Sequence, residues 1–172
     1  MGLNIGLLGG LSPVLGGFAT SFGVTMEGNM ASAFGVSELH LFFSGRMGAT
    51  SDTSALRDEV IARFDGTNEW VHPAGGIGAG SFPGSAAALQ VELGILKRFY
   101  ISGPLFAELG FGASLSNLST EPEVFNGQKI TYSLTSFAGL AQGAVGVQLL
   151  PRLLVKLEGG YRFGSGTTQV SV

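Results

Sequence analysis

The chain has 172 residues, the length of one domain, and nothing in its middle has the composition of a linker between two cores. Hydrophobic residues are 45% but charged residues only 12%, about half the usual globular share of ~25%, and too little to cover a soluble surface in the ordinary way. The net charge of -3 comes with no basic cluster, which excludes a nucleic-acid footprint, and the lack of cysteine excludes disulfides and thiolate metal sites.

Mean hydropathy is +0.38 and glycine fills 29 positions, yet no uninterrupted apolar run reaches the ~18 to 20 residues of a membrane helix. The other structure that satisfies its backbone hydrogen bonds in lipid is a closed β-barrel. The first residues, Met1 to Gly6, lack the cationic and cleavage pattern of a secretory signal, so an exported form is expected to be mature.

In chain order, residues 2 to 10 read as a first strand. From 14 to 27 the set Val14, Gly16, Phe18, Thr20, Phe22, Val24, Met26 opposes Leu15, Gly17, Ala19, Ser21, Gly23, Thr25, Glu27. The same period-two sorting recurs at 38 to 47, where Leu39, Leu41, Phe43 and Met47 oppose Glu38, His40, Phe42, Ser44 and Arg46. It continues at 89 to 95, where Gln90 and Glu92 oppose an apolar set, and at 105 to 115, where Glu108 does. At 153 to 163 Lys156, Glu158 and Arg162 share one face. No apolar-face position in these five segments is charged, and the charged face also carries many small residues. Since an eight-stranded barrel has an interior just wide enough for side chains to fill, that face is expected inward and the Leu/Val/Phe face outward.

Residues 128 to 149 read as a long sixth strand whose outward set changes phase, from Ile130, Tyr132 and Leu134 to Val145, Val147 and Leu149. That predicts a bulge near 139 to 143. A short last strand is expected at 167 to 172. Connections fall at 10 to 13, 28 to 33, 49 to 85, 97 to 104, 118 to 128, 149 to 152 and 163 to 167, which with eight strands puts both termini at one end. The turns at that end carry Lys97, Arg98 and Arg152 and no acid, whereas the other end is acid-rich and holds the long loop 49 to 85. Short turns inside and long loops outside are the usual asymmetry, so the acidic end is expected to face out. In the long loop, Ser54 as N-cap, Asp58 and Glu59 in or near the first turn, and the stripe Leu56, Val60, Ile61, Phe64 predict a short amphipathic helix over the barrel mouth. A strand over 59 to 70 is the alternative.

The segment Val145 to Phe163, with Leu149-Leu150-Pro151-Arg152 as turn and Tyr161-Arg162-Phe163 as aromatic-Arg-aromatic ending, resembles the late strand-turn-strand unit of OmpA-like small outer-membrane barrels. The resemblance implies an all-β, transmembrane up-and-down antiparallel barrel of eight strands, one domain over 1 to 172, in the bacterial cell outer membrane. It departs from such barrels at Val170-Ser171-Val172, where they commonly end in an aromatic residue.

The inward polar set Glu27, Glu38, His40, Arg46, Gln90, Glu92, Glu108, Lys156, Glu158 and Arg162 is expected to be a salt-bridged plug, because an unpaired buried charge costs several kcal/mol. Five acids against three bases leave an excess of carboxylate. Phe22, Phe99, Tyr100, Tyr132, Tyr161 and Phe163 suit girdles at the membrane interface. His72 fits a loop at that interface.

The expected role is structural or surface-interacting, as a monomer in contact with the lipid bilayer and lipopolysaccharide or other envelope components, with an extracellular ligand met through loops. No metal, cofactor or nucleic acid is implied. Glycines 76, 78 and 80 lack the spacing of a dinucleotide fingerprint. Alternatives are a narrow, porin-like channel, a soluble calycin-like barrel with a hydrophobic ligand inside, and an acyl hydrolase using His40 and Ser44. Those two lie ~13 Å apart along a strand at ~3.3 Å per residue, too far for direct contact.

Overall fold

A computed structural model describes residues 3–14, 17–64, 82–151 and 153–171. The chain is all-β. Strands β1 (Leu3–Val14), β2 (Gly17–Asn29), β3 (Leu39–Thr50), β4 (Ala86–Ser102), β5 (Leu105–Thr120), β7 (Gln128–Leu150) and β8 (Leu153–Ser171) pair antiparallel in chain order. The short β6 (Glu123–Phe125) folds back on β7 through an Asn126-Gly127 turn in which both residues take positive φ. Asn-Gly is the pair that tolerates this tight hairpin geometry. Helices α1 (Ala31–Phe34) and α2 (Ser54–Phe64) interrupt the meander.

The sheet has eight strands, though not the eight expected. The segments at 153 to 163 and 167 to 172 are one strand, β8, without a connection at 163 to 167. Gly164 and Gly166, which resemble a turn signal, continue the ladder opposite Ala138 and Ser136. A Cβ on Gly164 would lie 2.6 Å from Ala138 Cα, so the glycine serves close packing of two strands. With β6 as the added strand, seven long strands remain among the described residues. An odd number puts Leu3 and Ser171 at opposite ends, which corrects the expectation that both termini share one side.

Three further corrections concern where strands end and which phase they keep. β4 runs through Lys97 and Arg98 to Ser102, so the turn there is Gly103-Pro104 and Arg98 is a strand residue. β7 keeps a single phase: its pairing with β5 and β8 has no irregularity near 139 to 143. Ile130, Tyr132 and Leu134 are consequently buried with Leu140, on the same face, while Phe137, Val145 and Leu149 are exposed. Glu38 precedes β3 at φ 56, outside the strand.

Helix α2 forms where the loop pattern predicts it. Leu56 and Val60 are fully buried against Ala86, Leu118, Ile130, Tyr132 and Leu134, with Phe82, Ala88 and Val170 alongside. Ile61 is half-buried, whereas Asp58 and Glu59 are exposed. Ser54 opens the helix one position inside its expected cap role. The cap oxygen is Asp52 Oδ1, which accepts from Ser54 N–H at 3.1 Å and from Ser54 Oγ at 2.5 Å. Residues 59 to 64 are helical; the rest of the alternative strand, with His72, Trp70 and the glycines 76 to 80, lies outside the described residues.

Candidate functional site: the inner polar face and its apolar exterior

The sheet curls so far that side chains of β8 bond to residues on β2, β3, β4 and β5. Lys156 reaches Glu27 at 2.8 Å and Glu108 at 2.9 Å; Glu158 reaches Arg46 at 2.5 Å; Arg162 reaches Glu92 at 2.6 Å. These groups occupy the inner face because each strand alternates, and the charged residues of different strands share one parity.

Arg98 is the residue that sequence reasoning missed on this face. It is buried and donates to Glu27 at 2.7 Å from Nη2 and to Glu108 at 2.7 Å from Nε, with its guanidinium 4.7 Å above the Phe106 ring. The signal was available: Gln90, Glu92, Gly94, Leu96 and Arg98 have one parity, and continuing β4 past residue 95 puts Arg98 inward. Glu38 moves the other way, its side chain 37% exposed and 3.4 Å from His40 Nε2 at the rim.

With Arg98 counted in and Glu38 out, the excess of carboxylate disappears. Glu27 and Glu108 are each bonded by both Arg98 and Lys156, a closed ring of two acids and two bases. A second group of the same charge joins Arg46 to Glu158 and Glu92 (3.8 Å), and Glu92 to Arg162. Lys156 couples the two through Glu158 at 3.4 Å. Among the described residues four acids balance four bases on this face, with every charged member partnered as buried ions require. Gln90 and Ser44 donate to the two oxygens of Glu92 at 2.6 and 2.9 Å. Ser44 thus spends its hydroxyl on a carboxylate while His40 bonds Glu38; among the described residues no bond links Ser44 to His40.

The inner face of β4 runs through every layer. Arg98 lies in the first ring and Leu96 in a wedge with Phe42 and Leu140. Glu92 and Gln90 follow in the second group, and Ala88 and Ala86 against α2. Glycine makes room for the wedge: a Cβ on Gly94 would sit 2.7 Å from both Gly112 Cα and the Phe42 ring. Leu8, Thr25, Phe42, Ser44, Leu96, Gln142, Lys156 and Glu158 meet with no room for a water molecule between them.

The outer face has the opposite chemistry. Leu89, Leu93, Ile95 and Phe99 on β4, Leu105, Leu109, Phe111 and Leu115 on β5, and Leu153, Val155, Leu157, Tyr161 and Phe163 on β8 are exposed. The boundary is abrupt. Beyond Leu115, Phe137 and Phe163 the outward positions become Asn117 and Ser119, Thr135 and Ser133, Ser165 and Thr167, and Asn117 donates to Thr135 at 2.9 Å. From residue 153 to 163 the apolar run measures about 33 Å along the strand at ~3.3 Å per residue. Tyr161 and Phe163 mark its upper edge. Phe99 marks the lower one; Tyr100, expected beside it, has the inward parity of Arg98, stands opposite Phe106 at the rim and donates to Gln148 at 2.8 Å. Phe22 is exposed at mid-strand. Tyr132 also departs from the expected aromatic set. It is buried, 4.6 Å from the Phe82 ring centroid, and donates to Glu123 at 3.1 Å, because β7 does not change phase.

No helix among the described residues is long and apolar enough to cross a membrane, and no acidic or histidine cluster there could hold a metal ion. No family model matches the chain, and no match was found among curated proteins or solved structures.

Proposed function

We propose that this chain is an integral β-barrel of the bacterial outer membrane, similar to OmpA-like barrels in its plan, with a structural or surface-interaction role. One observation carries the reading: the sheet wears its apolar side chains outward and keeps its charges inside as balanced pairs, the inside-out sorting of outer-membrane barrels, at whose usual strand tilt an apolar run of about 33 Å would stand about 25 Å tall. In water this arrangement exposes apolar surface well beyond the few hundred Å² a monomer usually shows; in lipid it costs nothing.

Three short connections, at 30 to 38, 103 to 104 and 151 to 152, gather at one end; α2, the β6 hairpin and the acids Asp52, Asp58, Glu59 and Glu121 lie at the other. The acidic end faces out, where it meets lipopolysaccharide, other envelope components or an external ligand. The neutral, filled interior favours a plug over a channel. Among the described residues it also leaves no apolar cavity of the kind a soluble ligand-binding barrel needs. Ser44 and His40, with separate partners, give a hydrolase nothing to work with.

The test is electrophoretic mobility in detergent with and without heating, together with solubility once detergent is removed. A folded band that shifts on boiling and a protein that aggregates without detergent are expected. A monodisperse monomer free of detergent would refute the membrane reading. In planar bilayers the expected result is a sealed membrane, and steady single-channel steps would overturn the plug.

A further inference from the structure

Past the apolar band, toward the α2 end, the outward face of β5, β7 and β8 becomes an ordered polar surface. The strands stay in register there. Asn117, Thr135 and Thr167 make one row across the three strands, and Ser119, Ser133 and Gln169 make the next. All six carry a hydroxyl or amide group and none carries a charge. Asn117 Nδ2 donates to Thr135 Oγ1 at 2.9 Å, and among the described residues no other hydrogen bond engages either side chain. An amide oxygen is thus left to accept and a hydroxyl proton to donate.

An aromatic ledge borders these rows. Phe163 stands opposite Gly139, and a Cβ on that glycine would lie 2.5 Å from Phe163 Cζ and 3.0 Å from Cδ2. The ring is therefore laid across the neighbouring strand, which only glycine permits. Even so Phe163 is 56% exposed, and Phe137, opposite Ser165, is 66% exposed. A ring with one side on backbone offers its other, electron-rich side to polarised C–H groups.

A flat aromatic face beside uncharged hydroxyls and amides has the chemistry to hold a sugar: the ring takes the C–H side of a pyranose and the rows take its hydroxyls. Other occupants fit less well. A phosphate calls for Arg or Lys, and the two rows hold neither. Acyl chains would strip water from hydrogen-bonding groups and replace it with nothing. Six residue steps of ~3.3 Å along three strands ~4.8 Å apart cover ~300 Å², less than half the ~800 Å² that each side of a stable dimer buries. Position selects the source of the sugar, because the first polar row begins one i to i+2 step, ~7 Å, beyond Leu115 and Phe137. That is the level of lipid headgroups.

Resting on the membrane-barrel reading, we infer that this face of β5, β7 and β8 binds the uncharged saccharide of a glycolipid anchored in the same leaflet. Phe163 is the stacking platform, and Asn117, Thr135 and Thr167 are the first hydrogen-bonding row.

The probe is digalactosyl diacylglycerol, titrated into phosphatidylcholine nanodiscs that carry the full chain. Amide exchange at residues 117–119, 133–135 and 165–169 is the readout. A ligand that binds only the closed sheet should slow these amides by about tenfold at high loading. Thr135→Val combined with Thr167→Val keeps the shape and removes two hydroxyls, and should raise the half-saturating loading by about tenfold. Phe163→Leu should raise it as well, and both variants should keep the heat-modifiable form. Five results would overturn the saccharide face: no protection by the glycolipid, equal protection of the double valine variant, equal protection by phosphatidylglycerol, equal protection by free digalactosylglycerol, or protection that follows the number of protein copies per disc. Entry into discs of phosphatidylcholine alone judges the membrane reading before any sugar is added. A chain that enters them and then shows no glycolipid dependence sinks the saccharide face and leaves the barrel standing.

Discussion

Replacing Arg98 by methionine keeps most of its bulk and removes its charge, and it probes the first ring directly. Arg98 and Lys156 together neutralise Glu27 and Glu108, and the side chains of Arg98, Glu27 and Glu108 are all 3 to 4% exposed. Two like-charged carboxylates are then left to one ammonium group, deep inside. At a separation of 4 Å and an effective dielectric constant of 20 a single pair is worth about 4 kcal/mol before desolvation, and breaking a buried pair by removing one partner costs about 3–5 kcal/mol. R98M should therefore lower unfolding free energy by about 3–5 kcal/mol, read from the urea midpoint of tryptophan fluorescence in detergent or lipid. Adding Glu108→Gln restores neutrality and should recover at least about 2 kcal/mol, a coupling that a double-mutant cycle isolates. If R98M costs under about 1 kcal/mol, or E108Q worsens it, the balanced interior is not what stabilises the sheet.

Other perturbations address the outer face, the cap and the packing. Leu93→Arg, at mid-band on β4, should cost about 2–4 kcal/mol in lipid; a neutral effect on refolding into vesicles would contradict a lipid-facing band. Leu56→Ala should cost about 2–5 kcal/mol and speed amide exchange in β7 at residues 130 to 134, since that side chain is wholly buried under α2. Gly94→Leu has no space beside Gly112 and Phe42 and should abolish the heat-modifiable form, while Gly28→Ala, which meets nothing, should preserve it. The Asp52 carboxyl is held below its ordinary range by the Ser54 hydroxyl and then by the Ser54 N–H. A depressed folded value means the attachment of α2 is fully supported above the unfolded value near 4 and lost as pH falls through the folded one. Protection factors of the Leu56 and Val60 amides, with the intrinsic pH dependence of exchange divided out, should stay flat from pH 7 to about 4 and fall below, and Asp52→Asn should remove that dependence.

The parts of the fold legible from sequence are those where one face is under a single solvent constraint. Segments 105 to 115 and 153 to 163 alternate cleanly because apolar band and charged interior sort every residue, and Glu27, Arg46, Glu92, Glu108, Lys156, Glu158 and Arg162 were placed on the inner face by that alone. Beyond the band both faces change character. At 130 to 134 the inner face is apolar because α2 covers it, so Ile130, Tyr132 and Leu134 mimic outward residues. Past residue 163 the outward face turns to Ser and Thr, and the glycines of β8 imitate a turn. Arg98 was lost for a related reason: a basic residue near a strand end reads as a turn charge until its parity is followed.

If the chain is exported as proposed, the alternation that places charges inside the folded sheet would also govern how it travels before it folds. A segment that partitions sideways from a secretion channel must be greasy on all sides of a helix. A charge at the centre of such a helix raises the insertion free energy by about 2.5–3.5 kcal/mol. Glu27, Arg46, Glu92, Glu108 and Lys156 each fall within the apolar run of a future strand. In the uncharged stretch 130 to 150, Thr131, Ser133, Thr135, Ser136, Gln142 and Gln148 dilute the same signal. On the outer-membrane reading proposed above, the groups that later pair across the interior would let the unfolded polypeptide pass the inner membrane without stopping there.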